Sequence, residues 1–96
     1  MKLFARLYAL EPIESGISES GEWERRTIVV ETVGDERKLI ALDCFGQRRV
    51  RELDRLEDGQ LLEVTFTIEA RQHEMRWYNR VNLVNIQPYA KGGANG

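Results

Sequence analysis

Cysteine, histidine and proline are scarce in this chain, whose 96 residues include one cysteine, one histidine and two prolines. The single Cys44 cannot form a disulfide within the chain, and His73 has no cluster of histidines or cysteines with which to bind zinc. Neither residue has a partner that would mark a nucleophilic dyad, and the glycine-rich phosphate loops of nucleotide-binding enzymes are missing. We therefore expect a protein that is not an enzyme and that uses no metal and no cofactor.

Long apolar runs are missing as well. No stretch approaches the ~20 apolar residues of a membrane-spanning helix, and the first ten residues alternate apolar and basic positions, unlike a signal peptide. Residues 1–89 fit one small domain, and residues 90–96 are expected to form a flexible, glycine-rich tail. These features predict a cytoplasmic protein without a membrane partner.

The apolar pattern predicts five β-strands. Apolar and polar residues alternate with a period of two in three segments, and β-branched and apolar residues are concentrated in two others. The predicted strands span residues 2–10, 23–33, 38–45, 60–71 and 76–86. Apolar positions change phase after Leu83, which indicates either a bulge or a strand buried on both faces. The alternation assigns Trp77 to the core-facing side of the last strand.

The segments between these strands carry different signals. Val50, Leu53 and Leu56 recur at three-residue steps among charged residues, which predicts a short amphipathic helix over 47–56. Residues 11–22 are rich in glycine and serine, and we expect them to form a long polar loop. A helix between the third and fourth of five strands is the layout of the OB-fold, an all-β Greek-key barrel. An SH3-like barrel is the alternative, although it does not normally have a helix at that point.

The stretch from residue 39 to residue 84 resembles bacterial single-stranded DNA-binding protein, and the chain is more similar still to a short bacterial branch of OB-fold proteins. The residues that carry this resemblance are Phe45-Gly46, Val50, Leu53, Leu56, Gly59 and the segments LLEVTFTIEA and RWYNRVNLVNI. The N-terminal MKLFARLYALEPIESG and Trp23 fit the short branch in particular. The resemblance implies that Phe45 stacks on a base. The chain departs from the family in its short turn near Gly34 and at Leu39, which stands near a family tryptophan.

Basic and aromatic residues alternate on three of the predicted strands. Arginine makes forked contacts with phosphate and stacks on flat rings, and exposed rings stack on bases. The candidate nucleic-acid-binding residues are Arg6, Tyr8, Trp23, Arg25, Phe45, Arg76, Tyr78 and Arg80. We expect largely sequence-independent binding of single-stranded DNA, with RNA left open. Because proteins of the resembled family act as dimers or tetramers, we also expect a homo-oligomer.

Other functions stay open at this point. Residues 11–24 contain five glutamates and no basic residue, and such a segment would repel phosphate. This favours an OB-fold module for protein interaction or assembly that does not bind nucleic acid, in which Tyr8 packs against a partner subunit and Phe45 closes one end of the barrel. Oligosaccharide binding is compatible with a barrel that carries rings. However, eleven of the fourteen basic residues are arginine, which favours an anionic ligand.

Overall fold

The computed structural model describes residues 1–89, so the predicted tail at 90–96 lies outside the described residues. The strands are β1 (Lys2–Leu10), β2 (Glu14–Ser18), β3 (Gly21–Thr32), β4 (Leu39–Phe45), β5 (Leu61–His73) and β6 (Arg76–Pro88). Between β4 and β5, helix α1 (Gln47–Glu52) continues into a single turn of 3-10 helix, Leu53–Arg55. Within residues 1–89, no helix is both long enough and apolar enough to cross a membrane.

Five of the strands close into a ring. Hydrogen-bonded neighbours follow the order β1-β5-β6-β4-β3, and pairing of β1 with β3 completes the circle. The contact of β4 with β6 is parallel and is made at Asp43 and Asn82, whereas the other pairings are antiparallel. Ring closure leaves no open edge along the body of the sheet. This architecture confirms the predicted OB-fold barrel with its helix after the third barrel strand.

The interior of the ring holds the core. Every barrel strand contributes alternate apolar side chains, because successive residues of a strand point to opposite faces of the sheet. The buried apolar residues are Ala5, Leu7, Ile28, Val30, Leu42, Cys44, Val50, Leu53, Leu62, Val64, Phe66 and Leu83. Val50 and Leu53 come from the helical segment, which contacts β3 and β4. Burial also raises the pKa of the Cys44 thiol, which disfavours the reactive thiolate.

The prediction of a polar loop over residues 11–22 is wrong, because β2 lies within it. β2 forms a hairpin with the first residues of β3, in which Glu14 pairs with Arg25 and Gly16 pairs with Trp23. The hairpin extends from the ring, and most of its side chains on both faces are solvent-exposed. A strand exposed on both faces needs no apolar alternation, so its sequence is typical of a loop.

The assignment of Trp77 to the core is also wrong. β5 and β6 continue past the last buried layer of the barrel as a regular two-stranded ribbon, here named the arm, formed by residues 67–73 and 76–82. Trp77 lies on the core-facing side by alternation, but it is paired with Gln72 beyond the last buried layer and is 68% exposed. A two-residue turn at Glu74 and Met75 replaces the predicted polar connection of residues 71–75.

The predicted change of phase after Leu83 is a β-bulge. Thr65 pairs with Asn85 and Phe66 pairs with Leu83, so Val84 is the extra residue in β6. The Arg49 guanidinium donates hydrogen bonds to the carbonyl oxygens of Leu83 (3.0 Å) and Val84 (2.6 Å). α1 is thereby tied to the point at which β6 leaves the barrel and enters the arm.

Candidate nucleic-acid interface

The outer surface of β3 and β4 brings three of the predicted site residues together. Arg25 and Phe45 are directly opposite each other in the β3–β4 ladder, and their side chains therefore lie on the same face. Trp23 lies two residues before Arg25 and shares that face, with the Arg25 guanidinium carbon 5.9 Å from the centre of the indole ring. Trp23 and Phe45 are each about two-fifths exposed, so both rings can be reached from solvent.

The position of the Trp23 ring depends on Gly16 in β2. The indole lies directly over this glycine, and a Cβ atom at residue 16 would come within 2.4 Å of a ring carbon. Only a residue without a side chain leaves room for the ring at this position on the hairpin. The β2 hairpin that the sequence analysis missed is therefore the support of one aromatic ring of the candidate site.

The face continues across β4 onto β6. Asp43 of β4 lies beside Asn82 of β6, and the Asp43 carboxylate is 3.9 Å from the Arg80 guanidinium. Tyr78 and Arg76 precede Arg80 in the chain at two-residue steps, and they lie on the same side of β6. We name this surface the β3–β4–β6 face, and its members are Trp23, Arg25, Asp43, Phe45, Arg76, Tyr78, Arg80 and Asn82.

Most of the arginines of this surface form ion pairs with carboxylates of the protein. Glu14 accepts two hydrogen bonds from Arg25, at 3.2 and 3.0 Å, both on the same carboxylate oxygen. On the arm, Glu69 accepts a hydrogen bond from Arg71 at 2.9 Å, and this contact lowers the pKa of Glu69. Arg76 has no ion pair within residues 1–89. A phosphate group that binds this face must therefore compete with carboxylates of the protein itself.

Two further arginines hold β3 against the helical segment. Arg26 donates hydrogen bonds to the Glu11 carbonyl oxygen (2.7 Å), to the Val50 carbonyl oxygen (3.0 Å) and to the Asp54 carboxylate (2.7 Å). Arg51 of α1 forms an ion pair with Glu24, the residue between Trp23 and Arg25. These contacts fix the strand from the side opposite to the β3–β4–β6 face, and they use arginines that are therefore not free for phosphate.

Arg6 and Tyr8 lie away from the other predicted site residues. Both belong to β1, whose neighbours in the ring are β3 and β5, so the strand does not touch the contact between β4 and β6. Arg6 donates a hydrogen bond to the Gly59 carbonyl oxygen at 3.1 Å, and Tyr8 stands at an irregularity in the β1–β3 pairing. Their role in binding stays a prediction, but they do not extend the β3–β4–β6 face.

Glu14 and Asp43 shape this surface, but no pattern in the sequence indicated their role. Glu14 lay in the supposed loop, and Asp43 stood in a strand without an indicated partner. Their effect on Arg25 and Arg80 follows from strand register, which alternation within one strand does not reveal. The exposed position of Trp77 has a weak signal in the sequence: from residue 67 to residue 80, charged and polar residues outnumber apolar ones on both strands.

Comparison with known proteins gives the fold and the family. No curated protein matches the chain in sequence. The mitochondrial single-stranded DNA-binding protein Rim1 of S. cerevisiae is similar in structure, with a TM-score of 0.71, 11% identity, and coverage of 92% of this chain and 91% of that one. A small single-stranded DNA-binding protein from Streptomyces coelicolor has a TM-score of 0.49 and 10% identity over 93% of this chain and 92% of that one. Residues 3–87 match the family described as "Domain of unknown function (DUF3127)", and the chain therefore belongs to that family.

Proposed function

We propose that this domain binds single-stranded DNA with little sequence preference, through the β3–β4–β6 face, and that it is not an enzyme. The observation that carries the proposal is the placement of Trp23, Arg25 and Phe45 on one outer surface, continuous with Arg80 and Tyr78 across the β4–β6 contact. Single-strand binding needs rings on which bases stack and cations that follow the phosphates, and this face has both. In OB-folds generally, the corresponding strands and the two hairpins beside them contact oligonucleotides.

The fold shared with Rim1 agrees with this proposal without carrying it, because one barrel supports many functions. Assembly into a dimer or tetramer and action in the cytoplasm belong to the same proposal, and RNA stays open as a second ligand. An arginine that gives up a carboxylate in order to bind a phosphate contributes less binding free energy than an arginine without an ion pair would. We therefore expect moderate affinity that weakens as salt is added.

Fluorescence anisotropy of a labelled oligo-dT strand, measured at several salt concentrations, tests the proposal. Replacing Phe45 by alanine should remove one stacked base, worth ~1–3 kcal/mol or about 5- to 150-fold in Kd. Replacing Arg80 by glutamine should remove one phosphate contact and reduce the salt slope by ~0.7. The matched control is Arg37→Gln, an exposed arginine in the connection between β3 and β4, at the end of the ladder far from Phe45.

Absence of binding at low salt, or equal losses for the Arg80 and Arg37 variants, would contradict the proposal. The first result favours the second candidate function, an OB-fold module for protein assembly. That candidate rests on the carboxylates that already occupy Arg25 and Arg80. A competition experiment with oligo-U in place of oligo-dT separates DNA from RNA as the preferred ligand.

A further inference from the structure

The arm has two chemically different faces. Alternation along its paired strands separates them, and one face continues the β3–β4–β6 face. That charged face consists of Thr67, Glu69, Arg71, His73, Arg76, Tyr78, Arg80 and Asn82. The opposite face consists of Ile68, Ala70, Gln72, Trp77, Asn79 and Val81, and none of these side chains carries a charge. We refer to the second set as the uncharged face of the arm.

The uncharged face is a direct continuation of the barrel core. Ile68 pairs with Val81, one layer beyond the buried pair of Phe66 and Leu83. Beyond that layer no part of residues 1–89 covers the arm, and Trp77 is 68% exposed. Two-stranded ribbons are only marginally stable in water unless another layer packs on them. An apolar face with a large exposed ring at the end of such a ribbon is therefore suited to packing against a further surface.

We propose that the uncharged face of the arm docks on the same face of a second copy of this chain. A two-fold axis brings a patch against itself, so a charged residue that lies on the axis meets the same charge of its own copy. The uncharged face avoids that penalty, whereas the charged face and the glutamate-rich β2 hairpin do not. The same absence of charge argues against nucleic acid on this side, because no cation is present to neutralise a phosphate.

The size of the face sets the strength of the contact. Five residues of a strand span about 17 Å, and a two-stranded surface of that length buries less than the ~1,200 Å² of a standard stable interface. The association is therefore weak and depends on concentration, with Trp77 as its main anchor. In this arrangement the charged faces of both arms point outward, so each copy keeps its β3–β4–β6 face available.

This inference deepens the self-association included in the proposed function, and it does not depend on nucleic-acid binding. Sedimentation equilibrium of the full chain, from micromolar to submillimolar concentration, measures the dimer directly. We expect Trp77→Thr to raise the dimer dissociation constant at least about tenfold. The control Tyr78→Thr removes a ring from the charged face and should leave dimerisation unchanged.

A second pair of variants introduces charge instead of removing a ring. Ala70→Glu places a carboxylate on the uncharged face, where the second copy offers no opposite charge, so the dimer should be lost. Thr67→Glu makes the same change of net charge on the charged face and should have no effect on dimerisation. Ala70 and Thr67 are both exposed, so neither substitution disturbs the core.

Three results would overturn the inference. The wild-type chain stays monomeric at every concentration, or it dimerises and the Trp77 and Ala70 variants dimerise equally well. In the third, Trp77→Thr weakens oligo-dT binding as much as Tyr78→Thr does, which would assign this face to bases. If the wild-type protein dimerises, the Trp77 variant does not, and neither binds DNA, the dimer inference stands and only the nucleic-acid function is refuted.

Discussion

Replacing Glu14 by glutamine should strengthen the binding of single-stranded DNA. In the free protein, the Nε and Nη2 atoms of Arg25 are 3.2 and 3.0 Å from one oxygen of Glu14. A phosphate that binds Arg25 must displace this carboxylate or share the guanidinium with it. Glutamine keeps the size of the side chain and one hydrogen-bond acceptor, but it removes the negative charge that competes with phosphate.

The expected gain is small because the pair is open to solvent. The side chains of Arg25 and Glu14 are 38% and 54% exposed, and ion pairs with such exposure contribute only ~0.2–1 kcal/mol. Release of that interaction corresponds to a decrease in Kd of about 1.4- to 5-fold. If one more phosphate is fully neutralised, the dependence of log K on log salt should steepen by up to ~0.7.

The assay is oligo-dT anisotropy with a control of equal charge. Glu36→Gln makes the same change of net charge in the connection between β3 and β4, where Glu36 is 3.8 Å from Lys38 and away from Trp23 and Phe45. We expect its Kd to stay at the wild-type value at moderate salt. An equal gain in both variants would reduce the effect to net charge. A loss of affinity in the Glu14 variant would mean that the carboxylate orients Arg25 for the ligand and does not compete with it.

Three further predictions concern local structure. Replacing Gly16 by alanine should displace the Trp23 ring, because the new Cβ would come within 2.4 Å of it. The expected results are a change in tryptophan emission and weaker oligo-dT binding. An unchanged emission spectrum would contradict the packing of Trp23 on residue 16. Met75 has a φ of 68° and is 91% exposed. Replacing it by glycine should relieve backbone strain and raise the free energy of unfolding, measured in urea titrations, by a few tenths to about 1 kcal/mol. A decrease in the free energy of unfolding would show that the Met75 side chain stabilises the turn. Arg71 lowers the pKa of Glu69 below its ordinary value of 4.5, so the stabilisation from this pair is present above that value and is lost as the pH falls through the lowered one. Carboxyl NMR titration should show the lowered pKa, and Arg71→Gln should remove the larger part of the shift, because Asn82 and Arg80 also contribute to it.

The barrel itself could be predicted from the sequence, because its physical basis is local. Side chains of a strand alternate between two environments, so the buried positions of the long strands repeat with a period of two. Val50 and Leu53 repeat at a helical spacing among charged residues, and they are the two residues of the helical segment that are buried. The positions of the five barrel strands and of the helix along the chain, and the phase change at Val84, follow from this pattern. Together they were sufficient to predict the OB-fold.

The errors fall where a segment leaves the barrel. β2 has no apolar side because both of its faces meet solvent, so a strand stabilised by its pairing with β3 was predicted as a loop. Trp77 has the phase of a core residue, but the core ends at the layer of Phe66 and Leu83. Alternation tells which way a side chain points, but it does not tell whether anything lies there to cover it.

The composition of the candidate site was determined by the sequence, whereas its arrangement was decided by tertiary structure. Arginine and aromatic residues at two-residue steps give Trp23 and Arg25 a common side of one strand, whatever the fold. The pairing of β4 with β3 and with β6 then joins that side to Phe45 and Arg80, whereas Arg6 on β1 lies opposite Glu31, at the other end of β3. Strand register brings Glu14 and Asp43 to the same arginines. Contacts between residues that are distant in the chain depend on closure and register, and no pattern within a single strand contains them.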